Sequence, residues 1–262
     1  MSMNYWIKQS VDQPAFPEME WSKPENKRHA GKLLIMGGNL QGFSEPATAF
    51  SGAQQAGIGS MRVLLPDSIR KTVSVFMPEA DFAPSTPSGS FATQSLDTLL
   101  EHGSWADGVL LAGDFGKNSE TAVLIESFLS KYNGLLGLTG DSLEYFIENP
   151  NSLLGRAKTV AIMTFAQTQK MITNTKFKTP VSSSMDLMYL VEALHKFSDT
   201  YHFNLITTHQ NAVVISSKGR VSTTSSINLG QVSNVIVAAQ AMTWWIQHPA
   251  KPFEALTTAV IV

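Results

Sequence analysis

Short apolar blocks recur along the chain and alternate with amphipathic stretches. Leu33-Leu34-Ile35-Met36 runs into Gly37-Gly38, which predicts a buried strand feeding a turn. Residues 46–56 favour a helix that starts on a proline suited to a first turn and stops at Gly57. Residues 61–65 predict the next strand, and Asp67 is placed to cap a helix over 68–76. The alternation continues with strands at 109–112, 135–138 and 160–163, an amphipathic helix at 118–131, and the longest helical pattern at 184–198. Residues 212–215 and 220–223 read as a β-hairpin, followed by helices over 232–247 and from Phe253 onward. Strands alternating with helices predict an α/β fold with a central, mostly parallel sheet and helices on both faces. Pro14, Pro17 and Pro24 sit among charged residues, so the first 26 residues read as an extended arm and residues 27–262 as one domain.

Composition narrows the partners. With 43% hydrophobic and 15% charged residues among 262, the chain has the material for a large core. A formal charge of -2 gives no electrostatic reason to expect nucleic acid or an anionic membrane as partner. The basic run Lys27-Arg28-His29 with Lys32 reads as a solvated loop. There are no cysteines, which removes disulfides and thiolate metal sites, and no leader or membrane-length apolar run is visible. The expectation is a soluble, cytoplasmic protein.

In sheets of this kind ligands sit beyond the carboxyl ends of the strands. The loops to inspect are therefore 37–44, 112–118, 139–142, 164–169 and 225–231. Gly37-Gly38-Asn39 reads either as a loop whose amides approach a phosphate or as a plain tight turn. Asp114-Phe115-Gly116 lacks the catalytic and glycine-rich loops that give such a triplet meaning in protein kinases. His195 and His202 lie too far apart for a helical metal pair and read as hydrogen-bonded or solvated helix-end histidines; no metal site is expected. Trp244-Trp245 combines a core-facing side with one available to an oligomer interface.

Residues 29–66 carry a resemblance. Gly37-Gly38-Asn39 and Ala56-Gly57-Ile58-Gly59 stand at the separation found in the ADP- or ATP-dependent NAD(P)H-hydrate dehydratases, relatives of ribokinase, and the order of elements follows that family to the C-terminus. The resemblance implies a ribokinase-like fold and homo-oligomers. It also implies a reaction in which phosphate from ADP or ATP, with Mg, is moved to the hydroxyl of NADH or NADPH hydrate before elimination.

The same resemblance locates the site. The family's Gly-Thr-Gly-Asp motif falls on Asn228-Leu229-Gly230-Gln231, which keeps the glycine but puts Gln231 where the family has its catalytic aspartate. The Lys-Gly pair at the nucleotide phosphates falls on His209-Gln210, where weak nucleotide binding by His209, Gln210 and Gly230 is expected. The implied substrate positions are Gly37, Gly38, Asn39, Glu45 (within Ser44-Glu45, for the family's Gly-Ala), Gly116, Asp141 and Ala166. An amide cannot take a proton near neutral pH, so general-base chemistry is lost at Gln231. The chain is expected to be a catalytically impaired or silent relative, or a structural partner of an active one. The alternative is an active nucleotide-dependent enzyme, dehydratase or small-molecule kinase, with a rebuilt site.

Overall fold

A computed structural model describes residues 4–225 and 233–261. In chain order the first elements are β1 (Trp6–Ser10), α1 (Glu18–Trp21), β2 (Lys32–Gly37), α2 (Ser44–Gln55), β3 (Ser60–Pro66), α3 (Arg70–Val73), β4 (Asp81–Ala83), α4 (Leu96–Trp105), β5 (Gly108–Gly113) and α5 (Ser119–Lys131). There follow β6 (Leu135–Leu138), α6 (Glu144–Ile147), α7 (Asn151–Leu154), β7 (Thr159–Met163), α8 (Phe165–Asn174), α9 (Leu187–Tyr201), β8 (Asn204–His209), β9 (Ala212–Ser217), β10 (Arg220–Ser225), α10 (Asn234–Gln247) and α11 (Pro252–Ala259).

The strands form one sheet in the order β1-β10-β9-β8-β7-β6-β5-β2-β3-β4. Among the described strands β9 alone runs against the rest, pairing antiparallel with both β8 and β10. From β2 the chain steps outward to β3 and β4, then returns to the other side of β2 as β5 and continues through β6, β7 and β8. The carboxyl ends of β2 and β5 therefore flank the point where the winding direction reverses, the place where open sheets of this kind take ligands.

Alternation along each strand divides the core into two layers. Leu34, Met36, Val109, Leu111, Leu136 and Leu138 face α4, α5 and α9 with Phe128, Leu194 and Phe197. Leu33, Ile35, Leu110, Ala112, Val160 and Ile162 face α2, α10 and α11 with Ala53, Met242 and Leu256. Burial on both faces explains why these strands read as unbroken apolar runs. On the second face small residues let helices approach closely: a side chain at Gly52 of α2 would stand 3.3 Å from the Ala239 methyl of α10.

Several expectations are revised. Residues 6–10, inside the expected arm, pair with β10 as an edge strand, and Gln9 Nε2 donates to Thr224 Oγ1 at 2.8 Å. The helix expected over 68–76 is a 3-10 turn at Asp67–Ile69 followed by the short α3. Asp67 does not cap it, because its carboxylate accepts from the Ser85 hydroxyl. The helix expected over 184–198 lies three residues later, as α9. Trp244 and Trp245 are 0% and 2% exposed within the core of one chain, so neither presents a face to an oligomer partner. Among the described residues no helix is long and apolar enough to cross a membrane.

Candidate functional site

At the reversal point the backbones of β2 and β5 come too close for side chains. A Cβ at Gly37 would lie 2.3 Å from the Gly113 carbonyl oxygen, and the Gly38 N–H donates to that oxygen at 3.1 Å. Beyond it the chain turns through Asp114, a non-glycine residue at φ 58°. Such a conformation persists only where the surroundings hold it. Here the Asp114 carboxylate accepts from the Glu45 N–H at 2.9 Å and the Ser44 hydroxyl at 3.3 Å. Phe43, at the N-cap of α2, offers no side-chain bond, so Asp114 caps the helix from another loop and meets its dipole with negative charge.

The neighbouring groups are tied to one another. Asn39 Nδ2 donates to the Asp114 carbonyl at 2.6 Å, and its Oδ1 accepts from the Gln41 N–H at 2.7 Å. Asp141 accepts from the N–H groups of Phe115 and Gly116 at 3.1 and 2.9 Å. Burial is the main cause that raises its pKa, opposed by those two bonds. Tyr145 donates to the Gly116 carbonyl at 2.5 Å. Between these loops lies a cleft of about 650 Å³ lined by the amides of Asn39, Gln41 and Asn118, the hydroxyls of Ser44, Ser88 and Ser90, the carboxylates of Asp114 and Asp141, and Lys117.

Glu45 stands behind this cleft. Its Oε2 is buried without a hydrogen-bond partner. A Cβ would come within 2.7 Å of that oxygen from Gly113 and 2.9 Å from Gly140, and both glycines have positive φ. Burial, then the charges of Asp114 and Asp141, push the Glu45 carboxyl up to about 7. Beyond Glu45 opens a second chamber of about 360 Å³, lined also by Thr139, Gly140, Thr164, Gln167, Ser233, Asn234 and Val235.

Gly37, Gly38, Asn39, Glu45, Gly116 and Asp141, named from the sequence, thus gather at the reversal point. Ala166 lies exposed in the first turn of α8, where a capping box links Thr164 and Gln167. His209 and Gln210 lie at the β8–β9 turn and line neither cavity. The His209 ring is 4% exposed, packs on Phe165 with centroids 4.7 Å apart, and has Nε2 2.8 Å from the Met185 carbonyl. That contact calls for a proton on Nε2. Gln210 is exposed, with Nε2 3.4 Å from the same carbonyl. Gly230 and Gln231 lie outside the described residues. Sequence reasoning missed the capping role of Asp114, the unpartnered hydroxyl of Thr139 and the serines of residues 88–90. The glycines on either side of Asp114-Phe115 were the available signal for the first. Among the described residues no group of three or more His, Cys, Asp or Glu side chains is placed to hold a metal ion.

No family model matches the chain. A stretch of 97 residues, 37% of the chain, is 31% identical to the bifunctional NAD(P)H-hydrate repair enzyme of Methanothermobacter thermautotrophicus, and the match spans only 18% of that protein's length. In structure the chain is similar to a ribokinase-like superfamily protein from Enterococcus faecalis, with a TM-score of 0.76 and 15% identity, over 100% of this chain and 87% of that one. It is also similar to the ADP/ATP-dependent NAD(P)H-hydrate dehydratase of Bacillus subtilis, which was co-crystallised with ATP and Mg2+. There the TM-score is 0.62 with 12% identity, over 99% of this chain and 87% of that one. At such identities the likeness is one of fold. Sheet order, the position of the cleft and these similarities together make this a protein of the ribokinase-like fold, similar to the NAD(P)H-hydrate dehydratases.

Proposed function

We propose that this chain holds a small, hydroxyl-rich ligand in the cleft at the reversal point and does not dehydrate NADH or NADPH hydrate. The observation that carries this reading is the state of the polar groups at the positions the dehydratase resemblance makes functional. His209 is occupied by the Met185 carbonyl and Phe165, Asp141 by two backbone N–H groups, and Ala166 offers a methyl. Asp114, in the same loop as Gly116, is occupied in capping α2. To this the sequence adds Gln231, an amide where the family has a carboxylate base. One general base contributes about 100- to 10,000-fold in rate, and a constellation that works as a unit is not recovered one residue at a time.

The lining of the cleft supports the ligand class. Amides, hydroxyls and carboxylates facing a polar space complement hydroxyl groups, each of which donates and accepts. A nucleotide of the kind bound to the Bacillus enzyme would meet His209 and Gln210 where the family has a lysine. With that ring committed to Met185, affinity for ADP or ATP is expected to be weaker than low micromolar.

The test is a coupled assay on hydrated NADH with ADP or ATP, run on the wild type and on Gln231→Asp. Neither is expected to turn over. Turnover by the wild type would overturn the reading in favour of an active enzyme with a rebuilt site. Turnover in the variant alone would mean that the other contacts remain in working order.

A further inference from the structure

The turn between α5 and β6 carries a chemistry that the cleft does not use. Asn133 is followed by Gly134, and no other asparagine of the chain precedes a glycine. Asn133 is exposed. Among the described residues neither its side-chain amide nor the Gly134 N–H has a hydrogen-bond partner. Elsewhere Asn26, Asn39, Asn118, Asn174 and Asn204 each hold a neighbouring backbone group.

The glycine is required by the packing. A Cβ at position 134 would fall on the Tyr132 hydroxyl. Tyr132 is itself fixed: its ring stacks on Phe128 with centroids 5.1 Å apart, and its hydroxyl donates to the Leu135 carbonyl at 3.3 Å. The fold therefore places a glycine directly after an unbonded asparagine at the entry to β6.

Such a pair reacts in water without an enzyme. The Gly134 nitrogen gives its proton to a base and attacks Cγ of Asn133. The N–Cγ bond forms, the Cγ–Nδ2 bond breaks, and the departing nitrogen takes a proton and leaves as ammonia. Water then opens the cyclic imide at either carbonyl. Opening at Cγ leaves aspartate in an unchanged main chain. Opening at the α-carbonyl leaves isoaspartate, whose peptide link runs through Cβ and Cγ and whose free carboxylate is the α-carboxyl. Glycine favours closure because it presents no Cβ to the approaching carbon and leaves the backbone free to reach the angle needed.

We propose that Asn133-Gly134 is a self-modifying site, and that its isoaspartyl product is a substrate for carboxyl methyl transfer from an S-adenosyl donor. The site is independent of any ligand in the cleft. Isoaspartate lengthens the main chain by one methylene directly before β6, the strand between β5 and β7. There Leu135 pairs with Gly108, and the Leu136 N–H donates to the Lys158 carbonyl at 2.9 Å. The other end of β6 leads to Asp141, so the altered link stands at the head of the strand that delivers this carboxylate to the cleft.

The test is ageing of the full chain in mildly alkaline buffer, folded and in denaturant. Peptide mass mapping follows the amides, and purified isoaspartyl methyltransferase with labelled S-adenosylmethionine counts isoaspartate. In the folded chain Asn133 is expected to lose its amide about tenfold faster than each hydrogen-bonded asparagine, the factor to which one lost hydrogen bond corresponds. It is expected to react about as fast folded as in denaturant, since no structure has to open first. Methyl labelling is expected to fall about tenfold in Asn133→Gln, whose longer side chain closes the ring more slowly, with melting to show that the variant is folded. First loss of the amide at another asparagine overturns the proposal. So does an Asn133 amide that persists in the folded chain while it is lost in denaturant, or labelling that survives in Asn133→Gln. Exchange of the Leu136 amide hydrogen is expected to be faster in the aged chain than in Asn133→Asp, because only the former lengthens the main chain. Equal exchange overturns the effect on β6.

Discussion

The cleft lined by Asp114 and Asp141 and the chamber lined by Glu45 are built in opposite ways. In the larger cleft Asn39, Asp114 and Asp141 each hold backbone groups of neighbouring loops, and Tyr145 secures the Gly116 carbonyl. In the smaller chamber the Thr139 hydroxyl and a Glu45 oxygen are buried with nothing to bond. Matched polar groups report what the backbone needs in order to turn; an unmatched buried group reports a cost that folding alone does not recover. The first cavity owes its shape to bonds the loops need, and the second keeps buried polar groups that the fold leaves unmatched.

That contrast is broken most severely at Gly37. A methyl there would meet the Gly113 carbonyl oxygen at 2.3 Å and Pro46 Cγ at 2.8 Å, neither of which is a flexible chain end. Gly37→Ala is expected to cost about 3 kcal/mol in denaturant unfolding and to displace the β2 and β5 loops together. A loss below roughly 1 kcal/mol would mean that the two strands are not locked at the reversal point. Next in size is a pair of opposite sign. Asn39→Ala removes two buried-side bonds and is expected to cost about 2 kcal/mol, whereas Thr139→Val removes only an unpartnered hydroxyl and is expected to gain up to about 1 kcal/mol. Equal losses in the two variants would erase the distinction between the cavities.

The smallest effect is one of slope. The folded Glu45 carboxyl sits at about 7 against 4.5 for the free side chain, so the folded state holds the extra proton between those values. Stability from this group is present below 4.5 and lost as pH rises towards 7. Glu45→Gln should flatten that decline in melting temperature. Solvent screening at a half-buried group keeps the difference below about 1 kcal/mol.

Much of this architecture could be read from the residues. β2, β3, β5 and β7 were legible because strands buried on both faces have no polar alternation to obscure them. β8 was not, because Thr207, Thr208 and His209 interrupt its apolar run although threonine suits a strand. α4 was hidden by its 3-10 entry at Thr93–Ser95 and by His102-Gly103 inside it. The loops 37–44, 112–118, 139–142 and 164–169 were legible from the succession of strands and helices, whereas the segment bearing Ser88 and Ser90 was not. The character of the site was not. The sequence shows a glutamate at position 45 beside a proline, but not that Gly113 and Gly140, 68 and 95 residues further on, wall in one of its oxygens. Likewise the histidine at position 209 is visible, while the Met185 carbonyl that occupies it belongs to the loop before α9.

The pairing of β1 with β10 has a consequence in time. Trp6–Ser10 cannot take their place in the sheet until Arg220–Ser225 exist, and Gln9 is further held by the Thr257 carbonyl in α11. Contacts separated by more than 200 residues close last, because the loop entropy must be met before they contribute. On the ribosome Trp6–Ser10 are therefore synthesised long before they can be seated. Until β10 and α11 have left the exit tunnel, the segment that becomes β1 remains open to pairing with other chains.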